Sequence, residues 1–118
     1  MPGVSFDSTI RENIIRRATN GIAVEGSAEI SENVLLGERG TGITTSSDLL
    51  IRRNRVRAFE SGVRLDGSGA TVRGNDFRGN RGPDCFDSSS GEGTAGTSNT
   101  WINDLGHDSQ PVGICRPY

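Results

Sequence analysis

The sequence predicts an all-β solenoid, a parallel β-helix of about four to five coils with a repeat of about 21 residues. A hexapeptide with asparagine at its fourth position returns at intervals of 20, 21 and 21 residues. Each repeat contains three short stretches of strand-like alternation, separated by turn-rich joints. A repeat of this length has no room for a helix of about ten residues beside three strands, so each repeat makes one coil. The repeated asparagines are Asn13, Asn33, Asn54 and Asn75.

Apolar residues at fixed distances from these asparagines predict the core, one column for each strand of a coil. The first column, three residues before the asparagine, is Ile10, Ile30, Ile51 and Val72. The second column, two residues after it, is Ile15, Leu35, Val56 and Phe77. The third column, nine or ten residues after it, is Ile22, Ile43, Val63 and Cys85. Glycine directly precedes the third-column residue in the first three repeats.

The asparagines are predicted to be structural. At a bend between two strands the chain often needs a left-handed residue, and asparagine tolerates that conformation better than most residues. Stacked in register, the side-chain amides can also form a ladder that satisfies buried backbone groups. We therefore assign no catalytic role to them.

A leucine-rich repeat is the alternative architecture, because that repeat also carries an asparagine ladder. The segments AEISENVL and LLIRRNRV fit its consensus loosely. However, Glu25, Ser46 and Asp66 stand where its leading leucine belongs, and the glycine-preceded column has no counterpart in it. The β-helix is the better fit.

The repeats resemble those of the right-handed parallel β-helix superfamily, the pectate-lyase-like fold. The tail DCFDSSSGEGTAGTSNTWINDLG…PVGIC, from Asp84 to Cys115, is similar to the C-terminal coil of secreted, actinobacterial-type β-helix-repeat proteins. This resemblance implies a right-handed solenoid, but the fold hosts lyases, hydrolases, epimerases and proteins without enzymatic activity. We expect one domain, 1–118, with an incomplete first coil (1–9), repeat coils (10–85) and a loop with a capping partial coil (86–118).

The two cysteines, Cys85 and Cys115, are predicted to form a disulfide. They lie 30 residues apart without a CxxC spacing, and the chain has one histidine, so a zinc site is a poor fit and no cofactor is expected. A disulfide indicates a secreted, extracellular protein. Two buried free thiols in a cytosolic protein are the alternative.

The two ends of the solenoid differ in the sequence. Trp101 and the disulfide are expected to cap the C-terminal end, whereas Val4 lies six residues before Ile10, inside the first coil. Exposed parallel edges template association. We therefore expect the N-terminal end to be covered, either by a second copy in a homodimer or by an upstream domain.

Charge and hydropathy exclude some partners. The net charge of −2 gives no nucleic-acid footprint, and no apolar run is long enough to span a membrane. Residues 50–81 nevertheless carry net +5. Two outward columns of arginine are predicted, and they form a candidate face for the carboxylates or sulfates of an acidic polysaccharide. The alternative is a solvated face in which they pair with neighbouring acids such as Glu12, Glu32 and Asp76. The first column is Arg11, Arg52 and Arg73, and the second is Arg16, Arg57 and Arg78.

No convincing catalytic or metal constellation is visible. Glu25 and Asp66 are expected to lie two coils apart with Ser46 between them, and His107 stands alone in the tail. The sequence therefore favours a small non-catalytic module with a structural or interaction role. The alternatives are a C-terminal fragment of a polysaccharide lyase, hydrolase or epimerase, or a shortened, engineered scaffold.

Overall fold

The computed structural model describes residues 8–45 and 48–117, which form a parallel β-solenoid of five coils. A short 3₁₀ turn, Thr94–Gly96, precedes the last coil, and no helix in these two ranges is long and apolar enough to cross a bilayer. In chain order the strands are β1 (Ser8–Arg11), β2 (Ile14–Ala18), β3 (Ile22–Val24), β4 (Ala28–Ser31), β5 (Val34–Gly37), β6 (Thr41–Thr45), β7 (Leu49–Arg52), β8 (Arg55–Arg57), β9 (Ser61–Leu65), β10 (Thr71–Arg73), β11 (Cys85–Asp87), β12 (Thr100–Ile102) and β13 (Ser109–Gln110).

The strands stack into three parallel sheets, and successive coils occupy neighbouring positions in each sheet. The first sheet has the order β1-β4-β7-β10-β12, the second β2-β5-β8, and the third β3-β6-β9-β11-β13. Single parallel bridges at Asp76, Leu105 and Arg116 continue the second sheet through the later coils. The predicted all-β parallel solenoid is therefore confirmed.

Equivalent residues of successive coils face each other, so the apolar columns form one narrow core along the solenoid axis. In the first sheet, for example, Ile30 pairs with Ile51, and Val72 pairs with both Ile51 and Trp101. Full burial of one such side chain stabilises a fold by about 1.5–3 kcal/mol. Because the neighbouring coils provide this burial, each coil depends on its neighbours for its core. The large core residues with no exposed surface are Ile30, Leu35, Ile43, Ile51, Val56, Phe59, Val63, Val72, Phe77 and Cys85.

The C-terminal end is closed by covalent and apolar contacts. A disulfide joins Cys85 to Cys115, with their Cα atoms 6.4 Å apart, and confirms the predicted pairing. Trp101 is 5% exposed and packs edge-to-face against Phe77, with the ring centroids 6.4 Å apart. Its Nε1 donates to Asp87 Oδ2 at 2.9 Å, so the indole belongs to the interior of this end.

The first coil is less buried than the coils that follow it. Ile10 and Ile15 are only partly buried, whereas the equivalent Ile30 and Leu35 have no exposed surface. Val4 lies outside the described residues. Coverage of this end by a second copy or an upstream domain stays a prediction.

Candidate functional site

The repeated asparagines form a ladder of hydrogen bonds inside the solenoid. Each acceptor Oδ1 takes one hydrogen bond from the backbone N–H of the preceding asparagine and one from its Nδ2. The Nδ2···Oδ1 distances are 3.0 Å from Asn13 to Asn33, 2.9 Å from Asn33 to Asn54, and 3.0 Å from Asn54 to Asn75. The Nδ2 groups also donate to backbone carbonyls. The amides of these asparagines are thus hydrogen-bonded to other groups of the solenoid, which fits a structural role.

The structure corrects our explanation of the bend beside this ladder. The left-handed residue is not the ladder asparagine but the residue directly before it. These left-handed residues follow one another along the corner between the first and second sheets, and we call this column the corner ridge. Its members are Glu12, Glu32, Arg53, Gly74 and Asn103, with φ between 55° and 68°.

Asp104 is a fifth member of the ladder, which the sequence interpretation missed. Its Oδ1 accepts from the backbone N–H of Asn75 at 3.1 Å and from Asn75 Nδ2 at 2.8 Å. Its Oδ2 is buried and has no hydrogen-bond partner in the described part of the chain. Burial raises the pKa of Asp104 to about 7, although the hydrogen bonds from Asn75 act in the opposite direction. The sequence does contain a signal for this ladder position, because Asp104 follows Trp101 by three residues, the same offset that separates Asn75 from Val72.

The first predicted arginine column lies in register on the first sheet, and part of it is neutralised. Arg11 Nε lies 3.2 Å from Glu12, and Arg11 Nη2 lies 3.6 Å from Glu32. Arg52 Nη2 lies 3.1 Å from Glu29. The paired positions of the column are Arg11, Ser31, Arg52 and Arg73.

The second predicted column follows the second sheet. Arg16 pairs in register with Leu36, and Leu36 with Arg57. Arg78, in the next coil, forms a bidentate contact with Asp76, with N···O distances of 2.9 and 2.8 Å. These hydrogen bonds, together with the charges of Arg78 and Arg57, lower the pKa of Asp76 despite its partial burial.

Three of the six predicted arginines are not in ion-pair contact with any carboxylate among residues 8–45 and 48–117. These are Arg16, Arg57 and Arg73. Arg57 and Arg78 line a depression of about 370 Å³ together with Gly79 and His107. The structure thus aligns the arginines of each column, with Ser31 or Leu36 between some of them, and among the described residues it leaves three of these arginines without an ion pair.

A second depression, of about 310 Å³, interrupts the corner ridge at Gly74. We call it the Gly74 notch. It contains Arg53, which the sequence interpretation left out because that residue belongs to the ridge rather than to either sheet column. The lining residues are Arg52, Arg53, Arg73, Gly74, Ile102 and Asn103.

The acidic candidates directly follow strands of the third sheet, Glu25 after β3 and Asp66 after β9. Glu25 and Asp66 line a shallow depression, whereas Ser46, which the repeat places between them, lies outside the described residues. Asp66 Oδ1 accepts from the hydroxyl of Ser88 at 2.9 Å and lies 3.7 Å from Arg64 Nε. No three His, Cys, Asp or Glu side chains in the described ranges converge as a metal site would require.

A five-coil parallel solenoid with an internal amide ladder and a disulfide-closed end defines a β-helix-repeat protein. The family model for NosD, described as periplasmic copper-binding protein, matches residues 3–107, and the chain belongs to the NosD family. No curated protein and no solved structure shows significant similarity to this chain.

The residues of this chain do not fit a copper site of its own. Copper in proteins is held mainly by imidazole, thiolate and thioether groups. The chain has one histidine, one methionine and two cysteines, and both cysteines are consumed by the disulfide. His107, moreover, shares its depression with two arginines, whose charge opposes a cation. We therefore derive no function through copper.

Proposed function

We propose that this chain is a non-catalytic, extracytoplasmic interaction module of the NosD family that binds acidic carbohydrate through its arginines. The observation that carries the proposal is that Arg16, Arg57 and Arg73 form no ion pair in the described part of the chain and stand on regularly spaced coils. Guanidinium groups bind carboxylates and sulfates with two parallel hydrogen bonds, and a fixed spacing lets several of them act on one polymer.

The location outside the cytoplasm is supported by two independent observations. The disulfide between Cys85 and Cys115 is typical of oxidising compartments. The matched family is described as periplasmic, which agrees with such a compartment. The three-sheet cross-section and the amide ladder support our further proposal of kinship with the pectate-lyase-like superfamily.

Calorimetric titration with polygalacturonate, and with the same polymer after methyl esterification, tests the proposed binding. We expect binding to the acid form alone, weakening as salt rises because exposed charges are screened. Replacing both Arg57→Gln and Arg73→Gln should weaken the affinity at least about tenfold, the size expected for lost charge-assisted hydrogen bonds.

The matched control is Arg64→Gln, because Arg64 lies on the third sheet, where it contacts Asp66 and the ring of Phe86. Equal binding of the esterified polymer, or equal loss in this control, would contradict the proposal. Incubation with polygalacturonate should also give no rise in absorbance from unsaturated sugar products. A rise that depends on the protein would overturn the non-catalytic assignment.

A further inference from the structure

The corner ridge has one gap, and the gap is made by a residue with no side chain. Gly74 is the only glycine of the ridge, and a Cβ built on it would meet no atom within 4 Å. The neighbouring coils place Arg53 on one side of the gap and Asn103 on the other. The Gly74 notch is therefore open space inside an otherwise continuous column of side chains.

The electrostatics of the notch favour an anion. Arg53 and Arg73 form no ion pair with any carboxylate in the described part of the chain, and Arg52 shares its charge with Glu29. The nearest acid of the ridge, Glu32, is two coils from Gly74, or roughly 10 Å by the strand spacing. Glu32 is also in contact with Arg11 on its far side.

The remaining walls add a hydrogen-bonding group and an apolar surface. Asn103 Oδ1 accepts from Arg116 Nη2 at 2.6 Å, so the amide NH₂ of Asn103 is the end left for a ligand. Ile102, next to it, is 46% exposed, a large fraction for an isoleucine in a strand. A carboxylate carried on a sugar ring suits this combination, because its charge meets the guanidinium groups and its C–H surface meets Ile102.

The other depressions suit an anion less well. In the depression at His107, Arg78 is already bound by Asp76 through two hydrogen bonds. The depression on the third sheet is lined by the carboxylates of Glu25 and Asp66. Of the three, the Gly74 notch has the largest uncompensated positive charge.

We propose that the Gly74 notch is a binding site for one uronate unit of an acidic polysaccharide, held by Arg53 and Arg73 against Ile102. This inference rests on the proposed function and assigns it a site. Arg53 is the new residue in this assignment, and Gly74 determines whether a ligand can enter.

The deciding variant is Gly74→Asn, which fills the notch without changing any charge. Asparagine tolerates the φ of +68° at this position, as Asn103 does in the next coil, and the space around the new side chain is open. The partner variant is Arg53→Gln. Arg39→Gln removes the same charge from an exposed bend outside the notch and is the matched control.

The probes are short oligogalacturonate, its methyl ester and sodium sulfate, titrated calorimetrically after thermal unfolding has shown that each variant is folded. We expect Gly74→Asn and Arg53→Gln each to weaken oligogalacturonate binding by about tenfold or more. Arg39→Gln should change the affinity less than about twofold, as expected for an exposed, screened charge.

Three outcomes would overturn parts of this account, and they are distinguishable. If the unmodified protein binds oligogalacturonate and neither notch variant is weaker than Arg39→Gln, the site assignment is wrong and the proposed function stands. If the unmodified protein does not distinguish the acid from its ester, the proposed function itself is wrong. If sulfate binds as tightly as the oligosaccharide, the notch is an anion site without preference for a sugar.

Discussion

Each corner of the solenoid depends on two neighbouring residues with different roles. The first adopts the left-handed bend, as Arg53 does with φ of 56°, and the second, Asn54, places its amide in the interior. A buried backbone N–H without a partner costs about 1–3 kcal/mol, and the ladder Oδ1 atoms supply that partner in successive coils. This separation explains why the bend accepts glutamate, arginine, glycine or asparagine, while the next position is far more restricted.

Asp104 is the exception in the ladder, and its ionisation should make stability depend on pH. An unfolded aspartate ionises near pH 3.9, whereas burial raises the pKa of Asp104 in the fold to about 7. Between these values the folded state holds the proton more strongly than the unfolded state. The free energy of unfolding should therefore fall as pH rises from about 4 to about 7, and it should change little above that.

The substitution Asp104→Asn should remove this dependence and stabilise the protein at neutral pH. The new amide can donate at the place where Oδ2 now has no partner. From the equivalent place, Nδ2 of Asn54 and Nδ2 of Asn75 each donate to the backbone carbonyl two residues earlier. We expect a gain on the order of 3–4 kcal/mol at pH 8 and little gain at pH 4, measured by denaturant unfolding.

Asp108→Asn is the control, because Asp108 is exposed in the same part of the chain. The fall in the free energy of unfolding between pH 4 and pH 7 that Asp104 causes should persist in this variant. A profile for Asp104→Asn that still falls between pH 4 and pH 7 would show that another group carries the dependence.

At the scale of strands, the glycines before the first three core residues of the third sheet set how closely successive coils approach. A Cβ on Gly42 would overlap Val56 Cγ1 and lie 2.6 Å from the carbonyl oxygen of Gly62. A Cβ on Gly21 would in turn overlap the carbonyl oxygen of Gly42. The third sheet can therefore stack at normal strand spacing only if these positions lack a side chain.

Gly42→Ala should destabilise the protein by about 1–3 kcal/mol, the usual cost of forcing an extra carbon into a packed interior. Thr44→Ala, two residues along the same strand and on its outer side, should change the free energy of unfolding by less than about 0.5 kcal/mol. Denaturant unfolding of both variants measures the difference. Equal stability of Gly42→Ala and the unmodified protein would mean that the coils can separate locally without cost.

The sequence was informative about these elements where periodicity is strict. The columns through Ile30, Leu35 and Ile43 predicted three sheets and their register, because inward residues of stacked coils must coincide. Asp104 was missed because the longer connection before β12 breaks the spacing of 21 residues. The Gly74 notch was not predictable, because it depends on which residue of a bend turns left-handed, and the hydrophobic pattern does not contain that information.

For the whole molecule, the consequence of this architecture is that each coil contacts mainly its neighbours. Stability then resembles a sum of nearest-neighbour terms, so a local perturbation should spread only a short distance along the axis. The disulfide between Cys85 and Cys115 ties the last coil to the third sheet, and it closes a chain separation of 30 residues. Its contribution should be about 3–4 kcal/mol, mainly through the entropy of the unfolded chain.

The double substitution Cys85→Ala and Cys115→Ala tests whether that contribution is local. Hydrogen exchange should accelerate most in the last coil, for example at the amide of Leu105, which donates to the carbonyl of Asn75. The amide of Arg55, which donates to the carbonyl of Asn33 in the middle of the solenoid, should retain most of its protection. Cys115→Ala alone, with the thiol of Cys85 retained in the core, separates loss of the bond from loss of packing. Equal acceleration at both amides would show that the five coils unfold as one cooperative unit, because a nearest-neighbour solenoid cannot transmit the loss of its end so far.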